Sequence, residues 1–360
     1  KINMKVYIKF ISLIFFKSLF FVFSIILSLV FLLNLLTELE FFKNIDVPTS
    51  FTLFLSLLNS PALIFEIFPF IILITVQLTF VKLFENQEIE IFKYSGLKNS
   101  KIILIISMMS IFTGIVVLSM FYNLSSNLKN IYLEFKSKYS SDGKYLAVVT
   151  KNGLWIKDKV DNKIIITNAS SINNNFIQNN FITEFDENFN VIRNIRSEKI
   201  DVSDKNWKII NARIYYDNDY LKDQNIELRT NFDLKRIKTL YSNLAALNIY
   251  ELYQLKKNYK KLNYSLIEVD LYLLKLISIP LYFVLIAIFA SLIMLKIKKF
   301  ESTTFKISVG LFFSVIIYYL NNFSYVLGGA ERISLLLSIF LPLMILLTIN
   351  IFMIYKINDK

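Results

Sequence analysis

Apolar residues in this chain run in six long blocks, near 10–36, 51–81, 102–122, 271–295, 305–327 and 333–354. Each is long enough for one membrane crossing, since about 20 mostly apolar residues carry an α-helix through a hydrocarbon layer about 30 Å thick. The blocks fall three and three around a polar middle. There the period changes to short β-rich runs: Tyr145–Thr150, Leu154–Lys157, Lys163–Thr167, Phe176–Phe185, Val191–Ile195, Trp207–Tyr216 and Ile226–Arg229. Clusters at Asn173–Asn175, Asp186–Asn190 and Asp217–Asp219 read as the turns between them. The expected fold class is a membrane α-helical protein, six spans in a 3+3 layout, with an inserted all-β jelly-roll-like domain.

Helical signals join the two parts. Leu124, Leu128, Ile131, Tyr132, Phe135 and Tyr139 recur at helical spacing, so the third membrane helix is expected to continue as an amphipathic extension. Asn248 and Glu251 stand where an N-cap and third helical position would pair, opening a helix over 247–262. Ser265 and Glu268 repeat that spacing before the fourth block. In Trp207–Tyr216 the residues Ile210, Ala212, Ile214 and Tyr216 are expected on one face. The divisions expected are 1–139, 140–235 and 236–360.

Composition agrees with a membrane protein: 55% hydrophobic residues, mean hydropathy +0.50 and net charge +12. The first block is too long for a cleavable signal and reads as a retained helix, with Met4 as a possible start. The chain has no Cys and no His. Disulfides, thiol nucleophiles, imidazole bases and zinc sites built on those residues are thereby excluded. Lysines set an orientation, because short basic loops stay in the cytoplasm. Lys5 and Lys9, then Lys82, Lys93, Lys98 and Lys101, then Lys296, Lys298, Lys299 and Lys306, then Lys356 and Lys360 alternate with loops holding only Lys43 or Arg332. Both termini are expected in the cytoplasm, with the β-domain on the opposite side of the membrane.

The segment Glu85-Asn86-Gln87-Glu88-Ile89-Glu90-Ile91-Phe92-Lys93-Tyr94-Ser95-Gly96 stands out among the basic loops. Ile89 and Phe92 share a helical face, acidic residues flank them, and Gly96 suits a C-cap. Such a helix can dock into a soluble partner; a solvated loop helix would read the same way. Glu66, between Pro61 and Pro69, reads as an interfacial carboxylate beside a kinked helix. Asp158, Asp161, Asp186, Glu187 and Asp201 fall at turns and form no persuasive carboxylate site. The only Gly-Lys pair, Gly143-Lys144, is followed by Tyr145, so no phosphate-binding loop is visible and any energy must come from a partner. Neither a cofactor nor a nucleic acid is implied.

These features together resemble the LptF/LptG permease family of the bacterial lipopolysaccharide exporter, over about Tyr7 to Tyr355. Gln87–Gly96 is similar to the family's coupling motif. Pro61 and Pro69, Leu247-Asn248-Ile249-Tyr250-Glu251-Leu252, Tyr318-Tyr319-Leu320 and Leu341-Pro342 match further elements. Gly153–Asp158, Ile182–Asp186 and Trp207–Ala212 resemble the LptG branch more than the LptF branch. The resemblance implies coupling to an LptB-type ATPase dimer through Glu88, Ile89, Phe92 and Gly96. It implies an LptF-type permease partner, with the first and fifth helices of each lining a lateral cavity, and an LptC-type bridge protein that receives the lipid. Family members often carry basic residues at the outer end of helix one; here that place reads Asn34 to Glu40. The implied headgroup contacts are therefore Asn34, Lys43, Lys129 and Lys136.

Exposing a lipid with on the order of 60 methylenes to water would cost roughly 50 kcal/mol, at about 0.8 kcal/mol per CH₂. Extraction must therefore pass the chains between apolar surfaces, from a membrane cavity to the interior of the β-domain. Two other functions fit parts of the pattern. A mechanotransmission permease would drive an extracytoplasmic protein without moving lipid. A membrane-anchored assembly or adhesion protein would use the helices as tethers, and six helices exceed that need.

Overall fold

The computed structural model describes residues 4–137, 139, 154–173, 175–216, 220–234, 237, 243–261, 265–296 and 302–358. The expected strand Tyr145–Thr150, Gly143-Lys144 and the turn Asp217–Asp219 lie outside them. Two compact units result, residues 1–128 with 267–360, and residues 129–266. This assigns 129–139 and 236–266 to the β-domain's unit, whereas the sequence reading grouped them with the helices.

The membrane unit contains α1 (Met4–Phe41), α2 (Thr49–Glu85), the short α3 (Glu88–Tyr94) and α4 (Asn99–Val116). A π-helical turn, Val117–Phe121, leads from α4 into α5 (Tyr122–Ser137). In the second half come α7 (Ile267–Lys296), α8 (Thr303–Gly329) and α9 (Leu335–Asn358), numbered after α6 (Ile249–Lys261) of the other unit. Among the described residues six helical spans are long and apolar enough to cross a membrane, and α4 with α5 forms one of them. In lipid a spanning segment must satisfy its backbone internally, which is why these blocks are helices.

Burial is uneven across the six. Of the most apolar windows of α2 and α7, 61% of residues are buried, against 17% for α1 and 22% for α8. Thus α2 and α7 form the central pair. Phe68 of α2 stacks on Phe283 of α7 with centroids 5.5 Å apart. Ile71, Leu73 and Phe80 of α2, Ile286 and Ala290 of α7, and Ile102 and Ile106 of α4 complete that core. Hydroxyls along α2 mostly turn back on their own helix: Ser56, Ser60 and Thr79 each donate to the carbonyl four residues earlier. Apolar packing and close backbone approach therefore carry most of the association.

Gly114 marks a close approach of α4 to the backbone of α7. A Cβ there would lie 2.7 Å from the Pro280 Cα and 3.3 Å from Phe283 Cδ2. Pro280 sits inside α7 and removes one backbone donor. The bare face of Gly114 lets α4 lie against this point.

The second unit carries strands β1 (Leu154–Val160), β2 (Lys163–Ala169), β3 (Ser171–Asn173), β4 (Phe176–Phe185), β5 (Val191–Asp201), β6 (Asn206–Tyr215) and β7 (Tyr220–Arg229). They pair antiparallel in the order β1-β2-β4-β5-β6-β7, with β3 also on β4. An inserted β-domain is thus present. Its described pairings run as an antiparallel meander interrupted at β3: β2 passes over β3 to pair with β4, and β3 itself folds back onto β4. Leu154, Ile156, Ile182, Ile195, Trp207, Ile209 and Ile214 are buried on one face. Trp207 also donates its Nε1–H to the Phe232 carbonyl at 2.8 Å.

The sheet is creased. Asn179 on β4 and Asn211 on β6 have φ of 51° and 52°, so each strand changes phase there. Ile177 and Asn180 are both buried although three residues apart, as are Ile209 and Ala212. Ser197 on the intervening β5 donates to the Ile210 carbonyl at 2.7 Å. The expected face of Ile210, Ala212, Ile214 and Tyr216 is corrected accordingly: Ala212 and Ile214 are buried, Ile210 is half-buried and Tyr216 is exposed. Helix α6 begins as expected, with Asn248 Oδ1 accepting from the Glu251 N–H and Glu251 accepting from the Asn248 N–H, both at 2.9 Å.

Gly114→Val is expected to destabilise the membrane unit by about 1–3 kcal/mol, because the added carbons force α4 off α7. Gly329→Ala, whose Cβ would meet only Leu271 at an ordinary 3.7 Å, is the matched control. Thermal unfolding of the purified full chain in detergent should show a lower midpoint for the first and little change for the second.

Candidate functional site

The loop between α2 and α4 is a built structure. Gln87 takes a left-handed conformation, φ 55°, which turns the chain sharply out of α2 and into α3. At the other end Gly96 has φ +83°, the conformation that favours glycine. The Leu97 N–H bonds the Phe92 carbonyl at 2.8 Å and the Gly96 N–H bonds the Lys93 carbonyl at 2.9 Å. This is a Schellman closure, with Gly96 just past the cap. The sequence reading of Gly96 as a C-cap agrees with it.

Ile89 and Phe92 point inward. They are 3% and 7% exposed and join the membrane core, and the Phe92 ring meets Phe10 of α1 edge-on at 6.2 Å. Their part is to fasten α3 to its own chain, so neither is presented for docking. The opposite face carries Ile91 and Tyr94, 53% and 91% exposed. Sequence reasoning passed over this pair, although their spacing of three was visible in it. A seven-residue helix held by two apolar anchors and showing an isoleucine and a tyrosine outward has the form of a docking knob.

Glu88 opens this helix. Its Oε2 is shielded and has no hydrogen-bond partner among the described residues. Burial pushes its carboxyl above the ordinary glutamate range, and a side-chain hydrogen bond with Asn86 offsets part of that rise. Ionised Glu88 therefore carries a charge that its own chain compensates incompletely.

The headgroup candidates meet different fates. Asn34 is buried: its Nδ2 donates to the Ser56 carbonyl at 3.1 Å, and its Oδ1 accepts from Asn59 Nδ2 at 3.0 Å. It is a lock between α1 and α2, which removes it as a headgroup contact. Lys136 is 4% exposed and donates to the Tyr132 hydroxyl at 2.7 Å, so it too is withdrawn. Lys43 is exposed in the loop after α1, and Lys129 is half-buried on α5. A cation the sequence reading did not single out is Lys275 on α7. It lies 5.1 Å from the Tyr325 ring of α8 and within the field of Glu66. Glu66 is exposed and lies about 29 Å along α2 from Glu85, close to one hydrocarbon thickness, which fits an interfacial carboxylate.

The carboxylates of the β-domain are accounted for locally. Asp158 accepts from the Asn231 backbone and side chain at 2.7 and 2.8 Å. Asp186 closes its turn on the Asn188 and Asn190 N–H groups, both 2.8 Å, and Asp201 holds Ser203 at 2.6 Å. Asp161 and Glu187 meet Arg229 and Lys159 at the surface, at 3.9 and 3.8 Å. Asp161, Asp186 and Glu187 make the turn and surface contacts that their sequence positions suggested, whereas Asp158 is buried within β1 and Asp201 ends β5.

Six apolar helices, the inserted sheet and the capped α3 loop now have a counterpart among known proteins. The profile of the lipopolysaccharide export system permease LptF/LptG matches residues 10–356. The chain belongs to the LptF/LptG family. No individual curated protein matches it. The match spans both units, so the β-domain is part of the family architecture. Family membership makes the chain a multi-pass inner-membrane transport subunit for lipopolysaccharide export.

The raised Glu88 carboxyl gives a signed expectation. A group whose folded pKa lies above its unfolded one stabilises fully below the unfolded value, and this is lost as pH rises through the folded value. At neutral pH the ionised Glu88 therefore loosens α3. Glu88→Gln should slow amide exchange across 88–97 relative to wild type at pH 7, with the difference fading at pH 4. Equal exchange of the two proteins at pH 7 would refute this.

Proposed function

We propose that this chain is the LptG-type permease of an ATP-driven exporter that extracts lipopolysaccharide and passes it to an LptC-type bridge. An LptF-type permease completes the membrane portion, and an LptB-type ATPase dimer supplies the energy. The observation that carries the coupling part is the division of labour on α3. Ile89 and Phe92 tie it to α1 and the membrane core, while Ile91 and Tyr94 face away from the chain. A push received on the outer pair reaches the helix bundle through the inner pair, because a close-packed contact transmits displacement. A cation in the ATPase cleft would compensate Glu88, lowering its carboxyl back toward the ordinary range.

Helices α1 and α8 are the least buried of the six, which supports a lateral cavity shared with the partner permease. The orientation follows the lysine alternation, placing α3 in the cytoplasm and the β-domain in the periplasm. The LptG assignment rests on the middle-domain motifs, of which Leu154–Asp158, Ile182–Phe185 and Trp207–Ala212 lie in strands β1, β4 and β6. In this reading Lys43 and Lys129 remain as headgroup contacts, and Lys275 joins them on the exit side.

Tyr94→Ala combined with Ile91→Asp is expected to lower ATPase co-purification at least tenfold while leaving the melting temperature of the permease pair within error. Phe92→Ala should instead lower stability by about 3–5 kcal/mol, as expected for losing a buried aromatic. Full ATPase retention and normal lipid release by the Tyr94/Ile91 double variant would refute α3 as the coupling element.

A further inference from the structure

A groove of about 780 Å³ runs along the membrane unit from the α3 loop, between α4, α7 and α9. Its volume lies in the range of ligand sites, about 300–1,000 Å³. It lies apart from the α1 and α8 surfaces invoked for the lipid cavity. Its walls are aliphatic, among them Leu104 and Met108 of α4, 51% and 56% exposed, and Ile288 of α7. Its mouth is polar and basic: Lys93 and Lys98, both exposed, with Asn99. Among the described residues no acidic side chain lines it.

Helix α4 starts at this mouth without a side-chain cap, so its first N–H groups add positive potential to that of the two lysines. An apolar trough that opens sideways from membrane helices and ends in cations matches one kind of molecule. Its chain is hydrocarbon and its head is anionic. Basic pockets between membrane helices on the cytoplasmic side take anionic lipid headgroups.

We infer that this groove binds an anionic glycerophospholipid of the inner leaflet, with an acyl chain along Leu104, Met108 and Ile288 and the phosphate between Lys93 and Lys98. The leaflet rests on the orientation proposed above; the groove and its charge do not. Because Lys93 belongs to α3, the bound lipid ties the coupling helix to the bilayer. Anionic lipid then becomes a regulator of how firmly α3 is seated.

The test uses the full chain assembled with its partner permease and ATPase, in nanodiscs of phosphatidylcholine with 20% phosphatidylglycerol carrying a photoreactive acyl chain. Crosslinks to 100–111 or 284–292 are mapped, and lipids retained on the released complex are counted by native mass spectrometry. Phosphatidylglycerol should be retained over phosphatidylcholine by roughly fivefold for each lysine. Lys93→Gln with Lys98→Gln should abolish that preference while leaving apolar crosslinks. Ile288→Trp should remove the crosslinks themselves.

Equal retention of the two lipids by wild type, preference unchanged in the lysine variant, or crosslinks to a helix of the partner permease would overturn the proposal. Free inorganic phosphate at millimolar concentration should not displace the lipid; if it does, the site is a phosphate site. The readouts need no ATP turnover. Lipid retention by the Tyr94/Ile91 variant therefore separates failure of this inference from failure of the coupling reading.

Discussion

The stack of Phe68 on Phe283 is the contact around which the membrane unit is organised. Both rings are buried, and each sits near a proline, Pro69 in α2 and Pro280 in α7. Prolines free backbone carbonyls and bend helices, so a crossing built there is held by shape more than by hydrogen bonds. Phe23 and Phe121 add rings around Phe68, at 6.2 and 5.8 Å, and Gly114 admits α4 beside Pro280. With α2 and α7 together at the centre, α1 and α8 are left outside. Their exposed apolar faces follow from this choice of centre, and the proposed function sets a second permease and a lipid against those faces.

Much of this was legible in the sequence, for identifiable reasons. Membrane helices are long and must be apolar, so six blocks gave six spans. The strands of the middle domain were found because half-buried strands alternate. Where a strand changes phase the alternation argument misleads. Period two sets Ile210 on one face with Ala212 and Ile214, yet Asn211 takes a positive φ and the buried face passes from Ile209 to Ala212. Asparagine is one of the few side chains that tolerate that conformation, so the signal was present but ambiguous.

The functional loop shows a different limit. Its cap was readable, because Gly96 after a helical run has few other uses. The direction of its faces was not. Ile89 with Phe92 and Ile91 with Tyr94 are both pairs spaced by three, and period alone cannot say which looks inward. Phe10 of α1 decides it by receiving Phe92, a long-range fact that no local pattern contains. Asn34 fails as a headgroup contact for the same kind of reason. Position suggested a surface role, and Asn59, twenty-five residues on, turned it into an interhelical lock. Intramembrane polar pairs of this kind contribute on the order of 0.6–2 kcal/mol, enough to fix α1 against α2.

Three features of the chain taken alone point to the same conclusion about its working state. Burial raises the carboxyl of Glu88 and leaves one of its oxygens without a donor among the described residues. Tyr94 projects almost bare from a helix whose anchors are fully packed. The least buried membrane helices, α1 and α8, stand at the outside of an otherwise close-packed bundle. An unpaired half-buried charge loosens a segment, a bare aromatic gains by being covered, and a bare helix in lipid gains only where another surface fits it. Each deficit would be relieved by a different neighbour: a cation and an apolar cleft at α3, a helical surface at α1 and α8. The strain at α3 is then useful, since a segment held loosely by its own chain responds most to the partner that completes it.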